Sequence, residues 1–154
     1  MDENKITRML VAIDGSSQSQ EALSLALRLA DGIGAEIEIF NVIPDLPHPQ
    51  IGPRVPVGGT VSEYLQEYYA DQKEYSKKIT GEAREKSKQD YPKLTITTKI
   101  VQGKPADAIL EESERGFDVL VMGSRGLGFL DELLLGSVSD KVVHKSKIPV
   151  ILSK

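Results

Sequence analysis

Five short apolar runs alternate with four stretches of helical periodicity, and this alternation constrains the fold more than any other feature of the chain. Met9 to Ile13, Ala35 to Ile43, Leu94 to Gln102, Phe117 to Met122 and Ile148 to Leu152 read as largely buried strands, several of them rich in β-branched residues. In SQSQEALSLALRLADG, the residues Ala22, Leu23, Ala26, Leu27, Leu29 and Ala30 recur at helical spacing; Ser17 with Gln20 offers a capping box, and Gly32 and Gly34 a stop. A long helix is predicted from Ser62 to about Lys88, with Val61, Leu65, Tyr68, Tyr75, Ile79 and Ala83 near one face and its tyrosines serving packing. Pro105 suits the first turn of a third helix whose Ala106, Ile109 and Leu110 face inward, and Ser137 to Lys145 forms a fourth. Strands separated by helices in this way make a parallel sheet covered on both faces, and right-handed crossovers turn it into a doubly wound α/β sandwich. Ligands in such sheets bind beyond the carboxyl ends of the strands, where the strand order reverses. The segments after the first and fourth strands are therefore the places to examine.

The 154 residues suit one domain, 1–154, with a single core. Five prolines and three glycines between Pro44 and Gly59 rule out regular structure there, and the 44–61 segment reads as a mobile surface loop. The formal charge of −4, with both signs scattered, argues against nucleic acid as the main partner. Without cysteine the chain has no disulfide, thiolate metal site or cysteine nucleophile, and His48 and His144 do not stand at a metal-ligand spacing. The acidic start MDENKITRMLVAID does not resemble a secretory signal, and no apolar stretch is long enough to span a bilayer, so a cytoplasmic protein is expected.

Both segments at the expected switch point are unusual. Asp14-Gly15-Ser16-Ser17 follows the first strand; Gly123-Ser124-Arg125-Gly126 follows the fourth, and Gly136-Ser137 then opens a helix. A helix start presents unpaired N–H groups and partial positive charge, glycines admit an anion close to the backbone, and Ser137 and Ser139 add hydroxyl donors. The bland reading is two glycine turns around a surface loop, and Asp14 before Gly15 can simply stabilise its own turn. The segment holds neither GxGxxG nor GxxxxGK[ST]. Between its glycines, Leu127, Phe129, Leu130, Leu133, Leu134 and Leu135 are too apolar for an exposed loop and are expected to be buried beneath the fold or against a partner. They would hold the two ends of the segment in register.

The pattern Gly123-x2-Gly126-x9-Gly136-Ser137 resembles the nucleotide-binding signature of the universal stress protein family. The resemblance extends to LVAIDGSSQSQEAL, VQGKPADAIL, FDVLVMGSRG, LLLGSVSDKVVHKS and IPVILSK, almost the whole chain. It implies a three-layer, Rossmann-like sandwich (adenine nucleotide alpha hydrolase-like) with a five-stranded parallel sheet of order 3-2-1-4-5. It also implies an ATP site, with ADP or AMP as alternatives. Carried over, Asp14 lies near the ribose and phosphates and helps place magnesium, and Val42 offers backbone to adenine. Gly123, Ser124, Arg125 and Gly126 pass the ribose and phosphates, and Gly136, Ser137, Val138 and Ser139 hold the phosphates. Ala12, Ile13, Val101, Gly103 and Met122 complete the implied nucleotide contacts. A homodimer paired through the last strand, Ile148 to Leu152, agrees with the family and would also remove an unpaired sheet edge.

Three functions follow as alternatives. The first is an ATP-binding stress-response module whose occupancy changes which protein partner it recognises. The second is a slow ATPase or autophosphorylating phosphotransferase using Asp14 and magnesium, weakened because Arg125 and Lys141 are the only cations near the glycines. The third is a nucleotide-free dimeric adaptor, against which the complete glycine signature argues.

Overall fold

The computed structural model of the protein describes residues 5–46, 58–126 and 135–154. Among these, the elements run β1 (Arg8–Ala12), α1 (Ser17–Ile33), β2 (Glu36–Pro44), α2 (Val61–Asp90), β3 (Ile96–Gly103), α3 (Pro105–Ser113), β4 (Val119–Gly123), α4 (Ser137–Lys145) and β5 (Val150–Ser153). All pairings are parallel and the sheet order is β3-β2-β1-β4-β5, the order that the family resemblance implies. The chain builds outward from β1 to β3 and then returns to place β4 on the other side of β1. The strand order thus reverses between β1 and β4, and their carboxyl ends frame the switch point.

Side chains of successive strand residues point to opposite faces, which divides the core in two. Met9, Val11, Ile37, Ile39, Val119 and Val121 pack with Ala22, Leu23, Ala26 and Leu27 of α1, and Ala83 of α2 joins them. Leu10, Ala12, Phe40, Leu120 and Met122 pack with Ala106 and Ile109 of α3 and Val142 of α4. Buried on both faces, β1 and β4 carry continuous apolar runs, as central strands of a parallel sheet must.

Several boundaries differ from the sequence expectation for identifiable reasons. The cap of α1 is Ser16, whose Oγ accepts from the Ser19 amide at 3.2 Å, so the box expected of Ser17 and Gln20 does not form. Gly34, at φ 72°, terminates that helix, while Gly32 lies inside it. Leu29, expected inward, is exposed.

The long helix α2 departs most. Val61 and Tyr75 are exposed, and the fully buried positions are Ser76, Thr80 and Ser87. Thr80 Oγ1 donates to the Ser76 carbonyl at 2.7 Å and Ser87 Oγ to the Ala83 carbonyl at 2.6 Å. Small hydroxyl residues that satisfy themselves on their own helix can be buried at little cost. Hydropathy periodicity does not register such a face.

β5 begins at Val150 rather than Ile148, and β4 at Val119 rather than Phe117. Phe117 instead packs beneath the Arg8 guanidinium, which lies 4.3 Å from its ring centre. The 47–57 part of the Pro/Gly segment and the 127–134 part of the leucine run lie outside the described residues. Leu135, the described member of that run, is exposed in the single chain, so it is not buried beneath the fold.

Candidate functional site

Where β1 ends, the chain is fixed by main-chain and side-chain bonds. The Ile13 amide donates to the Phe40 carbonyl at 2.9 Å, and Asn41 Nδ2 donates to the Ile13 carbonyl at 2.8 Å, prolonging the β1–β2 pairing past the strand. Asp14 Oδ1 then accepts the Ser16 amide at 2.9 Å. This is the self-stabilised Asx turn that the bland reading of Asp14 anticipates, but it engages one carboxylate oxygen. The other, Oδ2, is directed toward Gly126 across the switch point: an ideal Cβ at Gly126 would sit 2.5 Å from it.

Where β4 ends, the Ser124 carbonyl joins the two glycine segments. It accepts the Gly136 amide at 2.9 Å and the Ser139 hydroxyl at 2.5 Å, and the same hydroxyl lies 3.0 Å from the Gly136 carbonyl. Ser139, 2% exposed, is therefore a structural tie rather than the hydroxyl donor that sequence reasoning expected. Ser124 is anchored from behind by its amide, which donates to the Ser153 carbonyl of β5 at 2.7 Å. The register between the turn and the helix start is held by this carbonyl.

The helix starts differ in a way that bears on ligand chemistry. α1 is capped by Ser16 and α2 by a reciprocal box between Thr60 and Glu63. α3 and α4, preceded by Lys104 and Gly136, receive no side-chain cap. Their first turns keep the N–H groups that a cap would have satisfied and the positive end of the peptide dipoles.

Both uncapped starts meet a cavity of about 280 Å³ at the carboxyl ends of β1, β2 and β4. Of the predicted site residues, Ala12, Ile13, Asp14, Val42, Met122, Gly123, Arg125, Gly126, Gly136, Ser137, Val138 and Ser139 line it. Val101 and Gly103 do not, because β3 is the sheet edge two strands away from β1, and Ser124 stands behind the wall in the tie just described. Sequence reasoning missed Ser19, Phe40, Pro44, Pro105 and Ile109, which also line the cavity. Phe40 and Pro44 carried a signal, since they alternate with Val42 along β2 and must share its face.

A larger crevice of about 590 Å³ separates α1 from α2 on the opposite face, lined among others by Gln20, Leu23, Ser24, Ile79, Glu82, Lys86 and Asp90. Ile13 and Gly15 just past β1 and the first turn of α1 reach it, but that helix start is capped by Ser16 and neither uncapped start lines it, so the smaller cavity is the better candidate despite its volume. It combines an apolar end, at Phe40, Val42, Pro44 and Ile109, with a polar end, at Asp14, Arg125 and α4. An adenine nucleotide has the same division, with an apolar base and charged phosphates.

Charge at the polar end is modest. Lys141, the other cation expected there, is bound to Asp107 of α3 at 2.6 Å, and this hydrogen bond holds the Asp107 carboxyl below its usual range. His144 faces solvent beside Asp140. No group of three or more acidic, histidine or cysteine residues clusters among the described residues. Asp14 is the single acidic residue among the described residues that line the cavity. Magnesium commonly takes one or two protein carboxylates and fills its shell with phosphate oxygens and water, so a lone carboxylate does not exclude it.

The model of the universal stress protein family matches residues 5–154. The chain belongs to this family. It is 36% identical to universal stress protein YxiE of Bacillus subtilis, over 94% of this chain and 97% of that one. Its fold is similar to that of UspA from Lactobacillus plantarum, with a TM-score of 0.70, 22% identity and coverage of 97% of this chain and 99% of that one. A further universal stress protein, solved in complex with cAMP, is similar at a TM-score of 0.64 and 28% identity, over 97% of this chain and 98% of that one. Like other members, the chain carries the parallel α/β sandwich, and none of its described helices is long and apolar enough to cross a membrane.

Proposed function

We propose that this universal stress protein is a single-domain, ATP-binding regulatory module, acting in the cytoplasm, with ADP or AMP able to occupy the same site. The observation that carries the reading is the meeting of two uncapped helix starts, α3 and α4, with glycine-lined backbone at one cavity on the sheet's switch point. The complex of a 28% identical relative with cAMP supports an adenine nucleotide as the ligand class. Adenine would occupy the apolar end between Phe40, Val42 and Ile109. The phosphates would meet the amides of Ser137, Val138 and Ser139, with Arg125 and the Gly126 backbone alongside. Asp14 would hold magnesium through Oδ2, the oxygen directed across the site toward Gly126.

A binding role is favoured over efficient catalysis by the residues lining the cavity. Asp14 is the one carboxylate and Arg125 the one cation among the described lining residues, and Lys141 is engaged by Asp107. Phosphoryl transfer draws on more concentrated positive charge than this. We further propose a homodimer through β5, the sheet edge beyond β4, whose half-buried Val150 to Ser153 would gain partners from a second copy.

Calorimetric titration with ATP and AMP, with and without magnesium, tests the reading. Saturable binding, strengthened by magnesium for ATP, is expected; no binding at millimolar nucleotide refutes it.

A further inference from the structure

Helix α2 lends no described side chain to the cavity wall, yet three of its tyrosines reach main chain around it. Tyr68 Oη donates to the Pro44 carbonyl at 3.4 Å, and the Leu46 amide donates to Tyr69 Oη at 3.4 Å, both at the carboxyl end of β2. The two rings meet edge to face with centres 5.2 Å apart. Nearly two turns further on, Tyr75 Oη donates to the Asp14 carbonyl at 3.2 Å on the other lip of the cavity. Tyr75 is 40% exposed, so burial alone does not account for where its hydroxyl points.

The fit around Gly15 shows what this contact does. Gly15 sits at φ 89°, and an added Cβ would collide with the Tyr75 hydroxyl and lie 3.2 Å from Tyr75 Cζ and 3.6 Å from Ile79 Cγ2. Only glycine lets the phenol approach this closely. Glycine also brings the widest backbone freedom of any residue, immediately after the residue whose carboxylate faces the site. The Asp14–Gly15 peptide is thus a weak point in the turn, and the phenol is the side chain that pins its carbonyl. The phenol adds to the contacts that orient the residue, among them the Asp14 amide near Ser19 Oγ at 3.4 Å and Oδ1 on the Ser16 amide.

We infer that Tyr75 is a positioning residue for the nucleotide site, acting through the Asp14 carbonyl to hold the Asp14 carboxylate in place. The inference rests on the nucleotide-binding reading above and adds to it a residue on a helix outside the cavity. It also makes α2 sensitive to occupancy. A ligand that engages Asp14 stiffens the turn against which Tyr75 leans, and by reciprocity the helix contributes to ligand affinity.

Tyr75→Phe removes the hydroxyl and leaves the ring. Calorimetry on the full chain should show MgATP bound about three- to tenfold more weakly, the range for one hydrogen bond, with a smaller loss for AMP, whose affinity does not depend on a carboxylate-held metal. In an Asp14→Ala background the same substitution should cost nothing further, since the group it positions is gone. A merely structural tyrosine would lower thermal stability in both backgrounds and leave the MgATP to AMP affinity ratio unchanged. Affinity within twofold of wild type, or an equal loss with and without the Asp14 carboxylate, overturns the inference while leaving nucleotide binding intact. Failure of the wild-type protein to bind nucleotide overturns the functional reading itself, and this inference with it.

Discussion

Gly126→Ala isolates the relation between the two halves of the site. Gly126 does not have positive φ, so alanine suits its backbone, and the substitution acts through one added methyl. That methyl would lie 2.5 Å from Asp14 Oδ2, where ordinary contact begins at 3.4 Å, so the oxygen must withdraw by about 0.9 Å. The obstructing atom is the end of a side chain, and turning it away costs about 0.5–1.5 kcal/mol as an off-rotamer distortion. Thermal denaturation should therefore shift by only about 1–6 °C for a chain of this size. Ligand affinity should respond more strongly. A carboxylate moved by most of an ångström loses a charge-assisted contact worth about 1.5–3 kcal/mol, or roughly 10- to 100-fold in the dissociation constant for MgATP. Calorimetry reads the affinity and circular dichroism confirms the fold. A folded Gly126→Ala protein that binds MgATP as tightly as wild type would refute the placement of Asp14 Oδ2 at the ligand. So would an equal loss in an Asp14→Ala background, where no oxygen remains to be displaced.

Gly123→Ala should behave in the opposite way: its methyl would fall 2.9 Å from Gln18 Cβ, 3.0 Å from the Gln18 carbonyl carbon and 3.1 Å from the Arg125 carbonyl oxygen. Backbone cannot swing aside, so a loss of about 1–3 kcal/mol is expected in denaturant unfolding, and unchanged stability would argue against such close packing of α1 on β4. Asp118 accepts the Thr7 amide at 2.7 Å, the Thr7 hydroxyl at 2.9 Å and the Arg8 amide at 2.9 Å. The two backbone amides chiefly hold its carboxyl below the ordinary value of 3.8, so its contribution is complete above that value and lost as pH falls through the lowered one. Asp118→Asn should flatten that acid limb and cost about 1–2 kcal/mol at neutral pH; an unchanged limb would show that these bonds do not persist in solution. Glu38 is displaced the other way, first by partial burial and then by the neighbouring Glu112 carboxylate, and Oε1 is buried without a hydrogen-bond partner. Its raised value favours the folded protein below 4.5 and penalises it as pH rises through the shifted value, so Glu38→Gln should raise neutral-pH stability, by less than about 1 kcal/mol given its exposure. A destabilised Glu38→Gln protein at neutral pH would contradict this.

How far the fold was legible depends on where each signal resides. The alternation of apolar runs and helical stripes is local, so strand number, parallel pairing and a doubly wound sheet could be read from it, and the residues of α4 were read to the last position. Periodicity misjudged α2, because its buried face is made of Ser76, Thr80 and Ser87, which carry no hydrophobic signal, the hydroxyls of Thr80 and Ser87 being satisfied within the helix. At the site, the glycine spacing marked which segments face the ligand, since backbone freedom and unpaired helix amides are properties of short stretches. It could not show what each side chain does there.

The sequence by itself determined the class of fold, the two segments at the switch point and the family, because these depend on residue order and on spacings within one element. Tertiary structure alone decided that Ser139 ties two segments through the Ser124 carbonyl, that Asp107 engages Lys141, and that Tyr75 reaches the Asp14 carbonyl across 61 positions of chain. Each of these is a contact between residues distant in sequence. Its existence depends on how helices seat against the sheet to within an ångström, and no local pattern encodes that distance.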